Sequence, residues 1–342
     1  MNSNTSQTTS APSPLGFFEA MRGYQLTAAM KAAVELELFT VIAEGATTPA
    51  QLSSRCNASE RGMRILSDFM VTCDFLTKAD GQYGLTADSS VFLDKRSPAY
   101  CGGAVAFMGS PLFTELFRDM TAVVRNGGAV DPQGGTVAPD HPVWVDFARG
   151  MDPLMVPAAQ VIAQQIPDSG KPMNVLDIAA GHGRFGITVA QLHPNAIVTA
   201  VDWKAVLELA LENAKAAGIA ERYHLLPGSA FDVEFGSDYD VVLITNFLHH
   251  FDVPTCETLL TRVHAALKPG GMAITLEFVP NDDRVTPPAA ASFSLTMLGS
   301  TASGDAYTFS ELEGMFDRAG FDASELMPLS GMPQSLVVSR KK

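Results

Sequence analysis

The segment LDIAAGHGRFG, residues Leu176 to Gly186, connects a short apolar run to the start of a helical pattern. Small residues at such a turn let the backbone approach a ligand closely, and the N-terminus of the helix that follows supplies free N–H groups. The next apolar run, AIVTAVD, ends in Asp202, 19 residues after Gly183. A carboxylate at the end of a second strand can accept hydrogen bonds from ribose hydroxyls. The segment therefore predicts a nucleoside-binding turn in an α/β domain.

The sequence around this turn alternates short apolar runs with helical patterns. The runs are NVLDIA, AIVTAVD, RYHLLPG, YDVVLITN and GMAITLEF. Continuous apolar strands that alternate with helices are typical of parallel strands covered on both faces. Two later runs, ELMPLS and QSLVVSR, are joined by a Gly-Met-Pro turn and indicate antiparallel pairing at the edge of the sheet. We therefore predict a Rossmann-like, doubly wound α/β domain with an antiparallel terminal strand over residues 171–342.

The first half of the chain has a different pattern. Residues 1–14, MNSNTSQTTSAPSP, are expected to be a disordered tail. Residues 15–100 combine amphipathic helices with a hairpin turned at Asp80-Gly81, which suggests a mainly α winged-helix domain. Residues 101–170 continue as helix around NGGAVDPQGGTVAPDHP, a composition typical of a loop or hinge, and we assign them to a helical linker.

Composition and charge narrow the class of partner. The 342 residues carry 37 acidic and 23 basic side chains, a net charge of −14, which weighs against nucleic acid because phosphate contacts require clustered Lys and Arg. No apolar run approaches the roughly 20 residues of a membrane span, and the start of the chain lacks the features of a signal peptide. The four cysteines lie far apart without a C-x-x-C pair, as expected of reduced thiols. We expect a cytoplasmic protein with a small-molecule partner, no nucleic acid and no membrane contact.

The turn itself distinguishes between nucleoside cofactors. A dinucleotide fingerprint reads G-x-G-x-x-G, whereas this turn has an acid at the strand end and only two glycines in the run. It resembles the D-x-G-x-G-x-G first motif of class I S-adenosylmethionine-dependent methyltransferases. Asp177, Gly181 and Gly183 match that motif, and Ala179 stands in place of its first glycine. The resemblance implies that these residues and Asp202 bind S-adenosylmethionine, with S-adenosylhomocysteine as the product.

A second motif follows the third apolar run. PGSAF, residues 227–231, stands where this family usually has G-D-x-F. Ser229 then replaces the Asp that contacts the adenine, Ala230 follows it, and Phe231 keeps the apolar wall of the site. Trp203 is placed to cover the other face of the adenine.

The stretch TNFLHHFDVPTC, residues 245–256, follows the fourth apolar run and lies at the carboxyl edge of the predicted sheet, with Asn246 beside the cofactor crevice. It resembles the H-D-W-x-D-x-x-C region of the dimeric small-molecule O-methyltransferases, the caffeic-acid and acetylserotonin type and their bacterial relatives. The resemblance implies that His249 is the general base and that His250 takes the position of the neighbouring Asp. A histidine, with a pKa of about 6.5, can accept a phenolic proton at neutral pH.

The family holds this base with two carboxylates. Glu277, at the end of GMAITLE, matches the first of them. The second falls at Ala306 and is therefore missing. An incomplete pair is compatible with a more acidic acceptor that needs less help in losing its proton.

The resemblance covers nearly the whole chain, so it also implies a homodimer formed through the N-terminal domain and an acceptor pocket lined partly by the middle helices. The implied acceptor is a small aromatic or apolar hydroxyl compound, and no metal is expected. Met and Phe at helical spacing are also common in ordinary cores. The candidate pocket residues are Phe107, Met108, Phe147, Met151, His250, Phe293 and Met297.

Several alternatives stay open. The two histidines could bind a metal, although adjacent side chains rarely converge and no H-x-x-x-H is present, or they could simply cap the next helix. Methyl transfer to sulfur, nitrogen or carbon on the same scaffold would depend less on a base. A ligand-sensing DNA-binding regulator would use SERGMRILSDFMVT as its recognition helix, but only Arg61 and Arg64 there are basic and the apolar positions suit a dimer interface better.

Overall fold

The computed structural model describes residues 12–130 and 143–342. The chain divides into two compact units between Gly109 and Ser110. Most of the predicted tail, residues 1–11, and residues 131–142 of the predicted hinge lie outside the described residues. No helix in the described ranges is long and apolar enough to cross a membrane.

The first unit is mainly helical, with one two-stranded hairpin turned at Asp80-Gly81. Both turn residues have positive φ, 49° and 76°, as a tight turn between antiparallel strands requires. Ser59 caps the helix that was the candidate recognition helix, and Met63 and Met70 of that helix are buried in the core of the unit. The elements are α1 (Leu15–Met21), α2 (Gly23–Glu35), α3 (Leu38–Ala43), α4 (Pro49–Cys56), α5 (Glu60–Thr72), β1 (Leu76–Ala79), β2 (Gln82–Leu85), α6 (Ala87–Phe92) and α7 (Gly102–Met108).

Helix α1 differs from the other helices of this unit because none of its residues is buried. Leu15, Phe17, Phe18 and Met21 are each more than half exposed. A cluster of large apolar side chains on one short helix is typical of a surface that another protein chain covers.

The second unit is built on a seven-stranded sheet in the order β5-β4-β3-β6-β7-β9-β8. Strands β3 to β7 pair in parallel, and β9 pairs antiparallel with both β7 and β8. The doubly wound fold with an antiparallel end is confirmed, with β9 lying inside the sheet and β8 forming its edge. The strands are β3 (Met173–Ile178), β4 (Ala196–Asp202), β5 (Tyr223–Pro227), β6 (Tyr239–Thr245), β7 (Leu267–Glu277), β8 (Glu325–Pro328) and β9 (Ser335–Arg340).

Helices cover both faces of this sheet, which explains why its strands are apolar throughout. In β3, Val175 packs into the core on one face, while Leu176 and Ile178 pack into the core on the other. Short 3-10 turns occur at Ala220–Arg222 and Leu248–His250. The helices are α8 (Pro111–Leu116), α9 (Met120–Asn126), α10 (Val143–Gln165), α11 (Arg184–Leu192), α12 (Lys204–Ala216), α13 (Val253–Ala266), α14 (Pro288–Ala291), α15 (Phe293–Ser300) and α16 (Phe309–Arg318).

Candidate active site

The carboxyl ends of β3, β4, β6 and β7 meet at one edge of the sheet and bring the predicted motifs together. Asp177 lies near the end of β3 and is fully buried. Its Oδ2 accepts a hydrogen bond of 3.0 Å from the Gly186 N–H, and its Oδ1 has no partner among the described residues. Burial raises the pKa of Asp177 to about 7.

The turn from β3 to α11 is left-handed at three positions. Ala179, Gly181 and Gly183 have φ values of 53°, 56° and 75°. A Cβ at Gly183 would lie 2.7 Å from the hydroxyl of Tyr223, so this position has room for glycine only. Ala179 keeps the conformation that favours glycine, at the cost of local backbone strain. The turn is therefore left-handed at the position of the first motif glycine although alanine occupies it.

Asp202 links the end of β4 to this turn. Its Oδ2 accepts a hydrogen bond of 2.8 Å from the Gly181 N–H, and its Oδ1 accepts one of 2.7 Å from the Trp203 N–H. Burial raises the pKa of Asp202 to about 6. Each carboxylate oxygen has a second lone pair, so these bonds leave Asp202 able to accept from a ligand.

The segment after β5 forms a compact loop. The Ser229 hydroxyl accepts from the Phe231 N–H at 3.1 Å, and the edge of the Phe231 ring faces Phe251 at 5.0 Å between centroids. The Arg262 guanidinium donates to the Ala230 carbonyl at 2.6 Å and so ties the loop to α13. Arg262 was not identified from the sequence because it lies 32 residues from its partner.

Asn246 follows β6 in a strained conformation, with φ of 52°. Its N–H donates to the Leu276 carbonyl at 2.7 Å, and its Nδ2 lies 3.7 Å from the sulfur of Met155 on α10. Its Oδ1 is buried without a hydrogen-bond donor among the described residues. A strained residue with an unpaired oxygen at a strand end is typical of a ligand site.

His249 and Glu277 form the central pair of the site. His249 Nδ1 lies 2.5 Å from Glu277 Oε2, and both side chains are buried. Glu277 Oε1 accepts from the N–H groups of Phe247 and Leu248 at 2.9 and 2.8 Å. The carboxylate is therefore held by the same turn that carries the histidine. Since Nδ1 is engaged, Nε2 is the ring nitrogen left to exchange a proton with a ligand.

The loop between α15 and α16 packs against the backbone of this turn. A Cβ at Gly304 would lie 2.2 Å from the His249 carbonyl oxygen, so no other residue fits without moving the turn. The Tyr307 hydroxyl donates to the Phe251 carbonyl. Ala306, where the second carboxylate is missing, is fully buried, and Asp305 pairs with Arg284. Glu277 is the carboxylate that pairs with His249 in the described part of the chain.

Aromatic side chains surround the histidine. The edge of the Phe293 ring faces His249 at 4.9 Å between centroids, and Phe293 stacks on Phe278 at 3.7 Å. On the other side the His250 ring is 4.3 Å from His249 and packs edge-on against Trp144 at 5.5 Å. Trp144 and Phe278 were not identified from the sequence, because only folding brings them to this turn.

The remaining pocket candidates are Phe147, Met151, Met297, Phe107 and Met108. The ring centroids of Phe147 and Trp144 are 5.5 Å apart, and these two rings form an aromatic wall beside His250. Met151 packs beside the core on the α10 side of the sheet, and Met297 is buried in α15. Phe107 and Met108 end α7 in the first unit, where Phe107 is buried and Met108 is exposed. For all seven pocket candidates, including Phe147, Phe293 and His250, a role in the pocket stays a prediction.

An ion pair connects α10 to the glycine-containing turn. Arg184 Nε and Nη2 donate to the two carboxylate oxygens of Asp152 at 2.7 and 2.6 Å. The Arg184 N–H donates to His182 Nδ1 at 3.0 Å, and burial lowers the pKa of His182 to about 4. No group of three or more His, Cys, Asp or Glu that could hold a metal occurs within residues 12–130 and 143–342.

Comparison with known proteins identifies the class. The model of the O-methyltransferase domain matches residues 139–322, and that of the O-methyltransferase dimerisation domain matches residues 18–95. The chain therefore belongs to the O-methyltransferase family and is an S-adenosylmethionine-dependent methyltransferase.

Individual relatives cover nearly the whole chain. The tetracenomycin polyketide synthesis 8-O-methyl transferase of Streptomyces glaucescens is 27% identical over 92% of both chains. A structure assigned to the O-methyltransferases from Nostoc punctiforme PCC 73102 is 51% identical, with a TM-score of 0.94 over 97% of this chain and 100% of that one. Human N-acetylserotonin methyltransferase, solved in complex with S-adenosylmethionine, shares the fold at a TM-score of 0.83 and 21% identity over 98% of this chain and 99% of that one.

The residues at the strand ends fit the cofactor of this family. S-Adenosylmethionine carries positive charge on its sulfonium and ammonium groups, and Asp177 Oδ1 and Asn246 Oδ1 are two buried oxygens that have no partner among residues 12–130 and 143–342. The left-handed turn leaves no side chain over Gly181 and Gly183, which permits close approach.

Proposed function

We propose that this protein transfers a methyl group to the hydroxyl of a small aromatic compound, with His249 as general base. The observation that carries the proposal is the buried hydrogen bond between His249 and Glu277. Bound S-adenosylmethionine supplies an activated methyl group. His249 Nε2 accepts the hydroxyl proton, while Glu277 fixes the ring and stabilises the imidazolium that results. The rings of Phe293 and Trp144 exclude water and favour a flat acceptor.

The proposed cofactor contacts follow from the same edge of the sheet. Asp177 and Asn246 face the positively charged groups, and Asp202 accepts from the ribose hydroxyls. Trp203 and Phe231 cover the adenine, with Ser229 and Ala230 supplying the loop between them. What supports these roles is the position of each residue at a strand end and the unpaired oxygens of the first two.

The proposed assembly is a homodimer formed through the first unit. The dimerisation-domain match and the exposed apolar side chains of α1 support it. The four cysteines are unpaired, which supports a reducing compartment such as the cytoplasm.

Transfer to sulfur, nitrogen or carbon on the same scaffold is the alternative. The test is incubation with methyl-labelled S-adenosylmethionine and a panel of phenols, thiols, amines and carbon acids, followed by mass spectrometry of the products. We expect methyl ethers of phenols. Products methylated only on another atom would overturn the proposal, and tight duplex binding in a gel shift at low salt would favour the DNA-binding alternative.

A further inference from the structure

The His250 side chain lies beside His249, the proposed general base. The hydrogen bonding of His250 is incomplete. Its ring centroid lies 4.3 Å from that of His249, at an interplanar angle of 53°. Trp144 holds it from one side, edge-on at 5.5 Å. Its Nδ1 is buried without a partner among the described residues, whereas the side chain as a whole is partly exposed.

The protonation of this ring follows from its surroundings. Burial lowers the pKa of His250 well below its ordinary value, and the neighbouring His249 lowers it further, so the ring is neutral and carries one N–H. A buried N–H without an acceptor is rarer and more costly than a buried acceptor without a donor. The proton therefore belongs on Nε2, and His250 has one hydrogen-bond donor to offer a ligand next to His249.

We propose that this donor binds an oxygen of the acceptor adjacent to the hydroxyl that is methylated, and that the acceptors are aromatic compounds whose hydroxyl is ortho or peri to a carbonyl. The proposal rests on the function proposed above. The two oxygens of such a compound lie about 2.5–3 Å apart because they share a hydrogen bond. Adjacent histidines match adjacent oxygens, one accepting the hydroxyl proton and the other donating to the carbonyl.

The arrangement also removes an obstacle to the reaction. In an ortho- or peri-hydroxy carbonyl compound the hydroxyl proton is bound internally by the carbonyl. The His250 N–H donates a hydrogen bond to the carbonyl oxygen in place of the hydroxyl. The hydroxyl proton then becomes available to His249 Nε2. The hydroxyl oxygen then forms the new C–O bond to the methyl group, and the electrons of the broken C–S bond stay on sulfur. The H-D-W motif described above has an aspartate at the position of His250. An ionised aspartate could only accept hydrogen bonds and would disfavour a carbonyl oxygen beside it.

Two matched pairs of acceptors test this: 1-hydroxyanthraquinone against 2-hydroxyanthraquinone, and 2′-hydroxyacetophenone against 4′-hydroxyacetophenone. In each pair only the first has the hydroxyl next to the carbonyl. We expect the wild-type kcat/KM to be higher for the first compound. His250→Phe, which keeps the contact with Trp144, should lower the ratio of kcat/KM for the first compound to kcat/KM for the second by about tenfold, the effect of one hydrogen bond. His250→Gln, which restores an N–H donor, should recover part of the preference.

Melting temperature and S-adenosylhomocysteine affinity serve as controls for the fold. Equal selectivity in the wild type and His250→Phe would overturn this inference while leaving O-methylation intact, as would a wild-type enzyme that does not discriminate within the pairs. A folded, cofactor-binding enzyme that methylates none of the four hydroxyl compounds would overturn both this inference and the aromatic O-methylation proposed above.

Discussion

His249 Nδ1 and Glu277 Oε2 lie 2.5 Å apart although 28 residues separate them along the chain. One residue follows β6 and the other ends β7, and these strands are parallel neighbours in the sheet. The pairing of two strands therefore determines the orientation of the proposed base. Because Glu277 also accepts from two N–H groups of the histidine turn, the pair is organised before any ligand binds.

Replacing His249, the proposed base, should lower the rate of methyl transfer and not the affinity for the cofactor. We expect His249→Ala to lower kcat by about 10²–10⁴-fold, the usual contribution of a general base, with little change in S-adenosylhomocysteine affinity. Steady-state kinetics and calorimetry measure the two effects. His224→Ala, at an exposed position on β5, is the matched control. A near-normal kcat in His249→Ala would remove this residue from catalysis.

Glu277→Gln should inactivate the enzyme by reversing the tautomer of His249. The amide oxygen can still accept from the Phe247 and Leu248 N–H groups, which directs the amide NH₂ at His249 Nδ1. Nδ1 must then act as acceptor, and Nε2 carries the proton and cannot receive another. We expect a loss of kcat of about 10²–10⁴-fold on a phenol. On a thiol that ionises unaided the loss should be much smaller, and equal losses on both acceptors would contradict the tautomer argument.

Gly304 is expected to position the turn that carries the proposed base, His249. In Gly304→Ala the new Cβ meets the His249 carbonyl at 2.2 Å, so the turn must shift. Misplacement of a reacting group by about 1 Å can cost 10²-fold in rate, and we expect kcat to fall by about 10–100-fold with cofactor affinity retained. Gly314→Ala in α16, where the new Cβ meets only the flexible Arg318 side chain, is the control and should keep normal kcat. If both variants had equal kcat, the positioning role would be wrong.

Ala179→Gly should stabilise the protein. Ala179 has φ of 53°, a conformation that costs an alanine about 1–2 kcal/mol. Relief of this strain is partly offset by the greater backbone freedom of glycine in the unfolded chain, so we expect a net gain of about 1 kcal/mol in the free energy of unfolding. Urea titration measures it. Ala180→Gly, next in the chain with φ outside the positive range and a buried methyl group, should destabilise instead.

Asp177 should make the stability of the cofactor-free protein depend on pH. An unfolded aspartate titrates near 3.9, whereas the folded pKa is about 7. The folded state then binds the proton more tightly, so this contribution is complete below about pH 4 and is lost as the pH rises through about 7. We expect the melting temperature to fall between pH 5 and 8, and to fall less in Asp177→Asn, which mimics the neutral acid. Asp202, with its pKa raised to about 6, adds a slope of the same sign at lower pH. An unchanged slope in Asp177→Asn would count against the buried acid as its source.

Sequence patterns predicted the strands and the motif residues at their ends, because short segments and the pairing of parallel strands determine both. The apolar runs identified the strands because both faces of the sheet are covered, and motif residues such as Asp202 and Asn246 lie at strand ends where short segments determine them. Gly304 and Trp144 could not be predicted, since their importance depends on contacts with His249 and His250 across large sequence distances. Glu277 was found only because the resemblance to a family assigned a role to that strand end.

The Arg184–Asp152 ion pair links the start of α11 to α10. Arg184 begins α11 directly after the cofactor turn, while Asp152 lies on α10, about 12 Å along the helix from Trp144 and its aromatic wall. The ion pair therefore joins the turn to the helix that carries Trp144. A substitution at Asp152 cannot be interpreted as a change in acceptor recognition alone, because the same side chain helps to hold the turn that is proposed to bind the methyl donor.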